Sequence, residues 1–576
     1  MTVPETPAGF GAPPSRPFAW EAHYPDGVAW DAPMTPGTLP AMLRHAVSAY
    51  GTRDLFDWRG SRMSFAAFGA LAGRVCSALG AMGLGKGDAI ALHMPNHIFH
   101  PAFFFGAMAA GCRIVHLSPL DAVRELEHKL SDSEAKLLVT LDLPDMQTKA
   151  ERLLAAGVVP SLVICDDARF GAAGLPVAPF PDVPGAMSFA AFIAQGSTDA
   201  LPADDAIALD DIALLQYTGG TTGLPKGAML THRNLTSALC IYDEWYAGLP
   251  DPEGGREVVL CVLPLFHIYA LTVVLLRQIK HGGLIGLRMR FDAEQTLNDI
   301  EAMRVTAFAG VPTMWIALVN HPEITTRDLS SMRLASSGGA PLPNEVGRRF
   351  KTQTGTPLLG GWGMTETSPA GTAVSEWGLT HKEGSIGVPL PAIEMRVVSH
   401  DDPTCVLAPD EIGEIAVRGP NVTGGYWKRD KANAESFADG FFLTGDVGRM
   451  DADGFFFLVD RKSDLIISGG FNVYPQMIEQ ALHEHPAVAE AGVVGIHDEY
   501  RGESAKAFIV LRPGASAPSL PELLEFLADR LGRHEMPRAL EVRDALPRTA
   551  VGKLSRKDLR AEEKARHEAA AVAAAG

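Results

Sequence analysis

The sequence reads as an α/β protein: a large N-terminal lobe of two βα-layered parallel-sheet subdomains plus a β region, followed by a small α+β C-terminal domain. Three observations predict this. Apolar, β-rich runs alternate with helix-spaced segments over the first half. A second stretch of the same character follows, and shorter runs bounded by turn residues come only after it.

The first runs fall at 89–94, 113–117, 136–141, 161–165, 212–217 and 258–263. Between them, 65–80 and 122–130 place apolar residues at helical spacing, which predicts crossover helices over parallel strands. Residues 166–205 break the rhythm. They are rich in Gly, Ala and Pro, end in Asp204 and Asp205, and read as a surface connection. The second stretch runs from 294 to 361, and the runs at 394–398 and 414–418 suggest an antiparallel region. From 463 a compact tail follows, with a helix from Pro475, strands at 491–495 and 507–511, and a helix over 521–531. The chain thus divides into an N-terminal extension (1–35), an N-terminal domain (36–462) and a C-terminal domain (463–560). An Ala-rich tail (561–576) has little to pack against and is expected to fray.

Composition narrows the partners. With 47% hydrophobic and 20% charged residues among 576, the chain can build large cores and is not disordered wholesale. Fifty Lys and Arg against 68 Asp and Glu give a net charge of −18, which repels nucleic acid or an anionic membrane as the main partner. A local basic site for an anionic ligand remains allowed. The six cysteines are scattered and form no CxxC pair, so neither a disulfide scaffold nor a zinc knuckle is indicated; a reducing, cytoplasmic setting fits. Residues 1–17 carry five prolines and no secretion signal, and the apolar run at 101–112 is too short to span a bilayer. Transient membrane contact for lipid uptake is conceivable, but no amphipathic basic helix supports it. A homodimer is neither indicated nor excluded.

The most informative segment is Tyr217-Thr-Gly-Gly-Thr-Thr-Gly-Leu-Pro-Lys226-Gly227. It follows an apolar run, so it sits where a strand gives way to a loop. Its glycines free the backbone to turn several N–H groups onto one anion, Thr218, Thr221 and Thr222 add hydroxyls, and Lys226 adds a charge. The spacing fails the Walker pattern, and a plain Gly/Thr linker would not combine an apolar lead-in with a Pro-Lys-Gly exit. A polyphosphate-like ligand is expected here.

This loop resembles the signature of the adenylate-forming superfamily of acyl-CoA synthetases, peptide-synthetase adenylation domains and firefly-type luciferases. Further segments follow in that family's order: Pro264-Leu-Phe-His267, Ser337-Gly-Gly-Ala-Pro341, Gly361-Trp-Gly-Met-Thr-Glu366, Thr444-Gly-Asp446, Asp460-Arg-Lys-Ser-Asp464 with Ser468-Gly-Gly-Phe-Asn-Val-Tyr-Pro475, and Pro547-Arg-Thr-Ala-Val-Gly-Lys553. The likeness covers roughly residues 40–560. The phrases at 381–389 and 424–429 look most like bacterial medium- and long-chain fatty acyl-CoA ligases and pimeloyl-type dicarboxylate ligases.

The resemblance implies that ATP converts a carboxylic acid to acyl-AMP, from which coenzyme A takes the acyl group. It implies that Lys553 is the catalytic cation bridging carboxylate and α-phosphate, although a lysine in such a loop is ordinarily a solvated surface residue. Glu366, with Thr218 as hydroxyl neighbour, is implied to hold Mg²⁺; capping a turn beside Thr365 and Thr367 is its bland alternative. His267 is implied to gate the passage from ATP to the acyl tunnel rather than to act as a base, while His232 is left as a packing residue. The nucleotide is implied to meet Thr218, Gly219, Gly220, Thr221, Thr222, Gly223 and Lys226 in the loop, then Gly339, Ala340 and Pro341, then Trp362, Gly363 and Thr365. Asp446 is implied to take the ribose hydroxyls, and Arg461 to lie near ribose or phosphates; Gly469, Gly470 and Phe471 complete the set. Trp362 stands where the family usually has Tyr, keeping adenine stacking and losing a phenolic hydrogen bond. Ser463 stands at the hinge position, usually Asp or Lys, about which the C-terminal domain is implied to swing and so be mobile.

Tunnel walls are expected in 263–276, 311–318 and 336–339. They suit an alkyl chain, with dicarboxylic and aryl acids as alternatives. A dicarboxylate would need a cation or amide at the tunnel end. A luciferase-like monooxygenase, an adenylation module and an acyl-AMP ligase loading a carrier protein are the competing classes; nothing after Lys553 has room for a fused carrier domain.

Overall fold

A computed structural model describes residues 15–171, 175–203, 206–218, 225–249, 255–374, 382–468, 471–498, 500–549 and 552–575. Among them the strands form four sheets. The first runs in the order Ala186–Ser188, Leu162–Cys165, Ala135–Leu141, Ala89–His93, Arg113–Leu117, Ile212–Thr218, Lys226–Thr231, parallel throughout except for the last pair. Its central strand Ala89–His93 is buried at every position, as a parallel strand covered on both faces must be. The second sheet has a parallel centre of Asp54–Trp58, Leu284–Leu287, Val258–Cys261, Ala307–Gly310, Leu334–Ser337 and Leu358–Trp362, with antiparallel strands at its edges.

One apolar cluster joins the inner faces of these sheets, taking Ile90 and Leu92 from the first and Val259 and Leu260 from the second. The helix Phe99–Ala109 contributes to that cluster and has every residue buried. The apolar run too short for a bilayer is therefore a core helix. A third, antiparallel sheet contains Glu394–Val398, Gly413–Arg418, Phe441–Met450 and Phe456–Arg461. The fourth contains Ile466–Ser468, Val488–Asp498, Gly502–Leu511 and Ala539–Arg543, with the helices Pro475–His483 and Leu520–Leu527 supplying its core residues Ile478 and Leu523. The last helix, Arg556–Ala575, carries the Ala-rich end, and Arg566 on it pairs with Glu541 and Glu563. Among the described residues no helix is long and apolar enough to cross a membrane.

The stretch 166–205 corrects the expectation of a plain surface connection. Ala186–Ser188 adds a parallel edge strand, and Ser188 caps the helix Phe189–Ile193. Phe189 and Phe192 are buried, at ring distances of 4.5 Å from Phe99 and 5.3 Å from Phe103. A strand of three residues and a helix of five are too short to show a period, so composition alone misread them.

Candidate active site

The strands Ile212–Thr218 and Lys226–Thr231 pair so that Thr218 faces Lys226 across the glycine loop. Gly219, Gly220, Thr221, Thr222 and Gly223 lie outside the described residues. The exit strand is stitched to the antiparallel region: Met229 donates to the Gly425 carbonyl at 3.0 Å and Trp427 to that of Gly227 at 2.8 Å. Tyr426 thereby stands between two charged groups. Its ring lies 5.3 Å from Lys226 Nζ, and its hydroxyl donates to Glu366 Oε1 at 2.8 Å.

Glu366 sits in the short turn Thr365–Thr367 and is only 4% exposed. Burial raises its pKa, opposed by the Tyr426 bond and by Arg461. It is not the turn's cap: Thr367 Oγ1 accepts from the Met364 amide at 3.0 Å instead. Just before it, a Cβ on Gly363 would stand 1.6 Å from the Pro369 carbonyl oxygen, so only glycine fits there. Trp362 is buried and its indole Nε1 donates to Asp446 Oδ2 at 2.6 Å. The indole thus binds the ribose-motif carboxylate itself, a contact the sequence did not suggest. Asp446 and Arg461 face each other across neighbouring antiparallel strands, and their side chains close to 3.0 Å. Asp446 is buried while the Arg461 side chain stays 56% exposed.

Lys553 reaches this place from the C-terminal end of the chain. Its loop is closed by the Thr549 amide donating to the Lys553 carbonyl at 2.7 Å, and Thr313 Oγ1 meets the Gly552 carbonyl at 3.4 Å. The lysine lies across Gly339, which has φ +81° and where a Cβ would stand 2.9 Å from Lys553 Cε. Burial brings its pKa down to about 8, helped by Arg461 and opposed by Asp446. Beside it, burial and then Lys553 pull His267 down to about 3, so its imidazole is neutral at ordinary pH. Its Nδ1 accepts from the Tyr269 amide at 3.3 Å. A neutral imidazole tied to its own loop suits a wall or gate better than a proton acceptor. His232 is buried, with Nδ1 accepting from the Leu39 amide, and does pack.

Lys553, Gly339, His267, Arg461, Asp446, Trp362 and Glu366 therefore converge, with Lys226 linked to them through Tyr426. Ala340 and Pro341 continue the chain from Gly339, and Thr365 adjoins Glu366. Gly469 and Gly470 lie outside the described residues; Phe471 begins the strand Phe471–Val473. Sequence reasoning missed Tyr426, although the Gly424-Gly-Tyr phrase was visible. It also missed Arg556, three residues past Lys553. The Arg556 guanidinium meets Asp460 at 3.1 Å, Asp464 at 3.0 Å and Glu479 at 2.5 Å. Burial pushes Asp460 up to about 6 against the pull of Arg556.

Comparison with known proteins agrees with this geometry. The model of a family described as AMP-binding enzyme matches residues 43–427, and that of the AMP-binding enzyme C-terminal domain matches 477–553. The chain is 37% identical over 566 residues to a long-chain-fatty-acid–CoA ligase of Bacillus subtilis, covering 95% of this chain and 98% of that protein. Among solved structures it resembles ATP-bound MatB from Rhodopseudomonas palustris, with TM-score 0.81 and 30% identity over 92% of this chain and 99% of that one. It also resembles the o-succinylbenzoate CoA synthetase of Bacillus subtilis with its acyl-adenylate, at TM-score 0.76 and 30% identity over 91% and 98%.

Proposed function

We propose the function from the premise that this chain belongs to the AMP-binding enzyme family. It is an AMP-forming acyl-CoA ligase. It activates a medium- or long-chain carboxylic acid with ATP to acyl-AMP and pyrophosphate, then passes the acyl group to coenzyme A and releases AMP. The observation that carries this reading is Lys553, set over Gly339 between His267 and the Asp446–Arg461 pair.

A carboxylate must approach a triphosphate, so two anions meet, and a fixed cation between them is what the step needs most. Lys553 supplies it. Arg461 adds a second charge at the exposed side, and Asp446 accepts ribose hydroxyls while its other contacts hold it in place. Lys226 and the glycine loop take the outer phosphates. The acyl carbonyl then stands beside His267, whose neutral ring closes that side without competing for the cation.

Glu366 offers a hard carboxylate oxygen with its second oxygen outside the Tyr426 bond, and the Thr218 hydroxyl stands at the loop entrance. Among the described residues no cluster of three metal-ligating side chains occurs. That donor set fits Mg²⁺, which takes one or two carboxylates and fills its shell with phosphate oxygens and water. Bound there, Mg²⁺ would neutralise phosphate charge. The Cys76, Cys112 and Cys261 thiols, pushed up to about 11, 12 and 12 by burial, are unreactive, which supports a cytoplasmic setting.

The test measures AMP release from a panel of acids with and without coenzyme A. Each buried methylene contributes about 0.8 kcal/mol, so CoA-dependent release is expected with acids of roughly six to sixteen carbons. Release only in the presence of a carrier protein would reject the CoA assignment.

A further inference from the structure

Past His267 the layer between the two sheets carries three phenols and a guanidinium that the mechanism above does not use. Tyr269 lies flat on Gly338, where a Cβ would stand 3.0 Å from its ring, and its hydroxyl is 3.1 Å from Ser336 Oγ. Gly338 adjoins Gly339, the residue under Lys553, so Tyr269 walls the acid site at its first carbons. Tyr269 leads into a π-helix, Ala270–Leu276, which packs on the helix His232–Trp245. π-helical turns are rare and are found often at functional sites.

The end of that neighbouring helix presents Tyr242 and, just past it, Tyr246, stacked at 6.3 Å with ring planes 12° apart. Arg277, the first residue after the π-helix, sets its guanidinium 5.1 Å from the Tyr246 ring centre. The Tyr242 phenol is held well above its ordinary pKa by burial and then by Tyr246 and Tyr269, with Arg277 opposing. The four side chains therefore form one continuous wall from Gly338 to Arg277.

Arg277 has more donors than its partner uses. Its Nη1 donates to Glu257 at 2.7 Å, while its Nε is buried without a hydrogen-bond partner. Glu257 also accepts from Gln278 at 2.8 Å and has Arg333 at 3.8 Å. Two guanidinium groups thus face one carboxylate, which leaves an excess positive charge at the end of an otherwise apolar passage. A methyl terminus arriving there would leave that charge and donor unmatched; a carboxylate would satisfy both.

We propose that the acid this ligase prefers is an α,ω-dicarboxylic acid, with one carboxylate at Lys553 and the other read by Arg277. This rests on the ligase reading and names the substrate class of the same site. Eight residues of helix separate Tyr269 from Arg277, about 10 Å of axial advance. An extended chain advances about 1.2 Å per bond, so a diacid of roughly eight to ten carbons spans the passage.

The experiment compares kcat/KM for CoA-dependent AMP release on octanedioic against octanoic acid and decanedioic against decanoic acid. The wild-type protein is expected to favour the diacid by about tenfold or more, as a site with a buried donor rejects an analogue lacking its partner. Arg277→Met should bring that ratio to one or below, and Arg277→Lys, which keeps the charge, should retain part of it. Preference for the monoacid in the wild type overturns the proposal, whatever becomes of the variants. So does a diacid preference that persists in a folded Arg277→Met protein. Should neither acid release AMP with any protein while other acids do, the diacid proposal fails alone; should no acid do so, the ligase reading itself fails.

Discussion

Lys553 and Arg556 stand three residues apart in one segment of the chain, yet their surroundings are opposites. Arg556 is enclosed by Glu479, Asp460 and Asp464, and although burial alone would lower its pKa, these carboxylates hold it charged. Lys553 has no carboxylate in contact; its nearest charges are Arg461 and, against it, Asp446. One cation is neutralised by the protein, and the other is kept for an anion that arrives from outside. The difference teaches that a buried charge left without a structural partner marks the reaction centre, while a fully partnered one fixes the loop that carries it.

The largest test falls on the partnered cation. Arg556→Met leaves three carboxylates facing one another and should cost about 3–5 kcal/mol in urea unfolding. Because Asp460 becomes protonated below about 6, the deficit should shrink on acidification through that value. An unchanged unfolding midpoint would break the contrast. Lys553→Ala should do the reverse, slowing adenylation about 10²–10³-fold while unfolding moves by no more than about 0.5 kcal/mol. Pyrophosphate exchange and a denaturant titration on the same sample separate the two effects.

Trp362→Phe sharpens the picture on the nucleotide side. It keeps an aromatic face but removes the donor to Asp446, and a hydrogen bond to a charged group is worth about 1.5–3 kcal/mol. KM for ATP should rise about tenfold or more with kcat little altered; an unchanged KM would show that the indole bond is incidental. The smallest effect is in pH. Above about 8 Lys553 loses its proton while the arginines keep theirs, so kcat/KM for adenylation should fall about tenfold per pH unit. Its folded value lies below the ordinary 10.5, so the folded state disfavours the charged lysine. Stability from this group therefore rises rather than falls across that window, and unfolding cannot mimic the loss.

Much of the fold was legible because parallel strands buried on both faces leave long apolar runs, as in 89–94 and 113–117. The segment 166–205 was not, since its buried Phe189 and Phe192 sit in elements too brief to show periodicity. Asp446, Glu366 and Lys553 were legible through their flanking motifs alone, as no single acidic or basic residue announces its burial. Tyr426 and Arg277 were not. Each acts through an element distant in sequence, Tyr426 through the strand that exits the glycine loop and Arg277 through the end of the helix His232–Trp245.

Gly339 has a practical consequence. With φ +81° and Lys553 Cε so near the place of its missing side chain, a methyl group there would work as a doorstop. Gly339→Ala should keep the lysine's loop from seating without altering any group that touches a reactant. That offers a way to stall the enzyme before activation while its capacity to handle a ready-made acyl-adenylate is left for study.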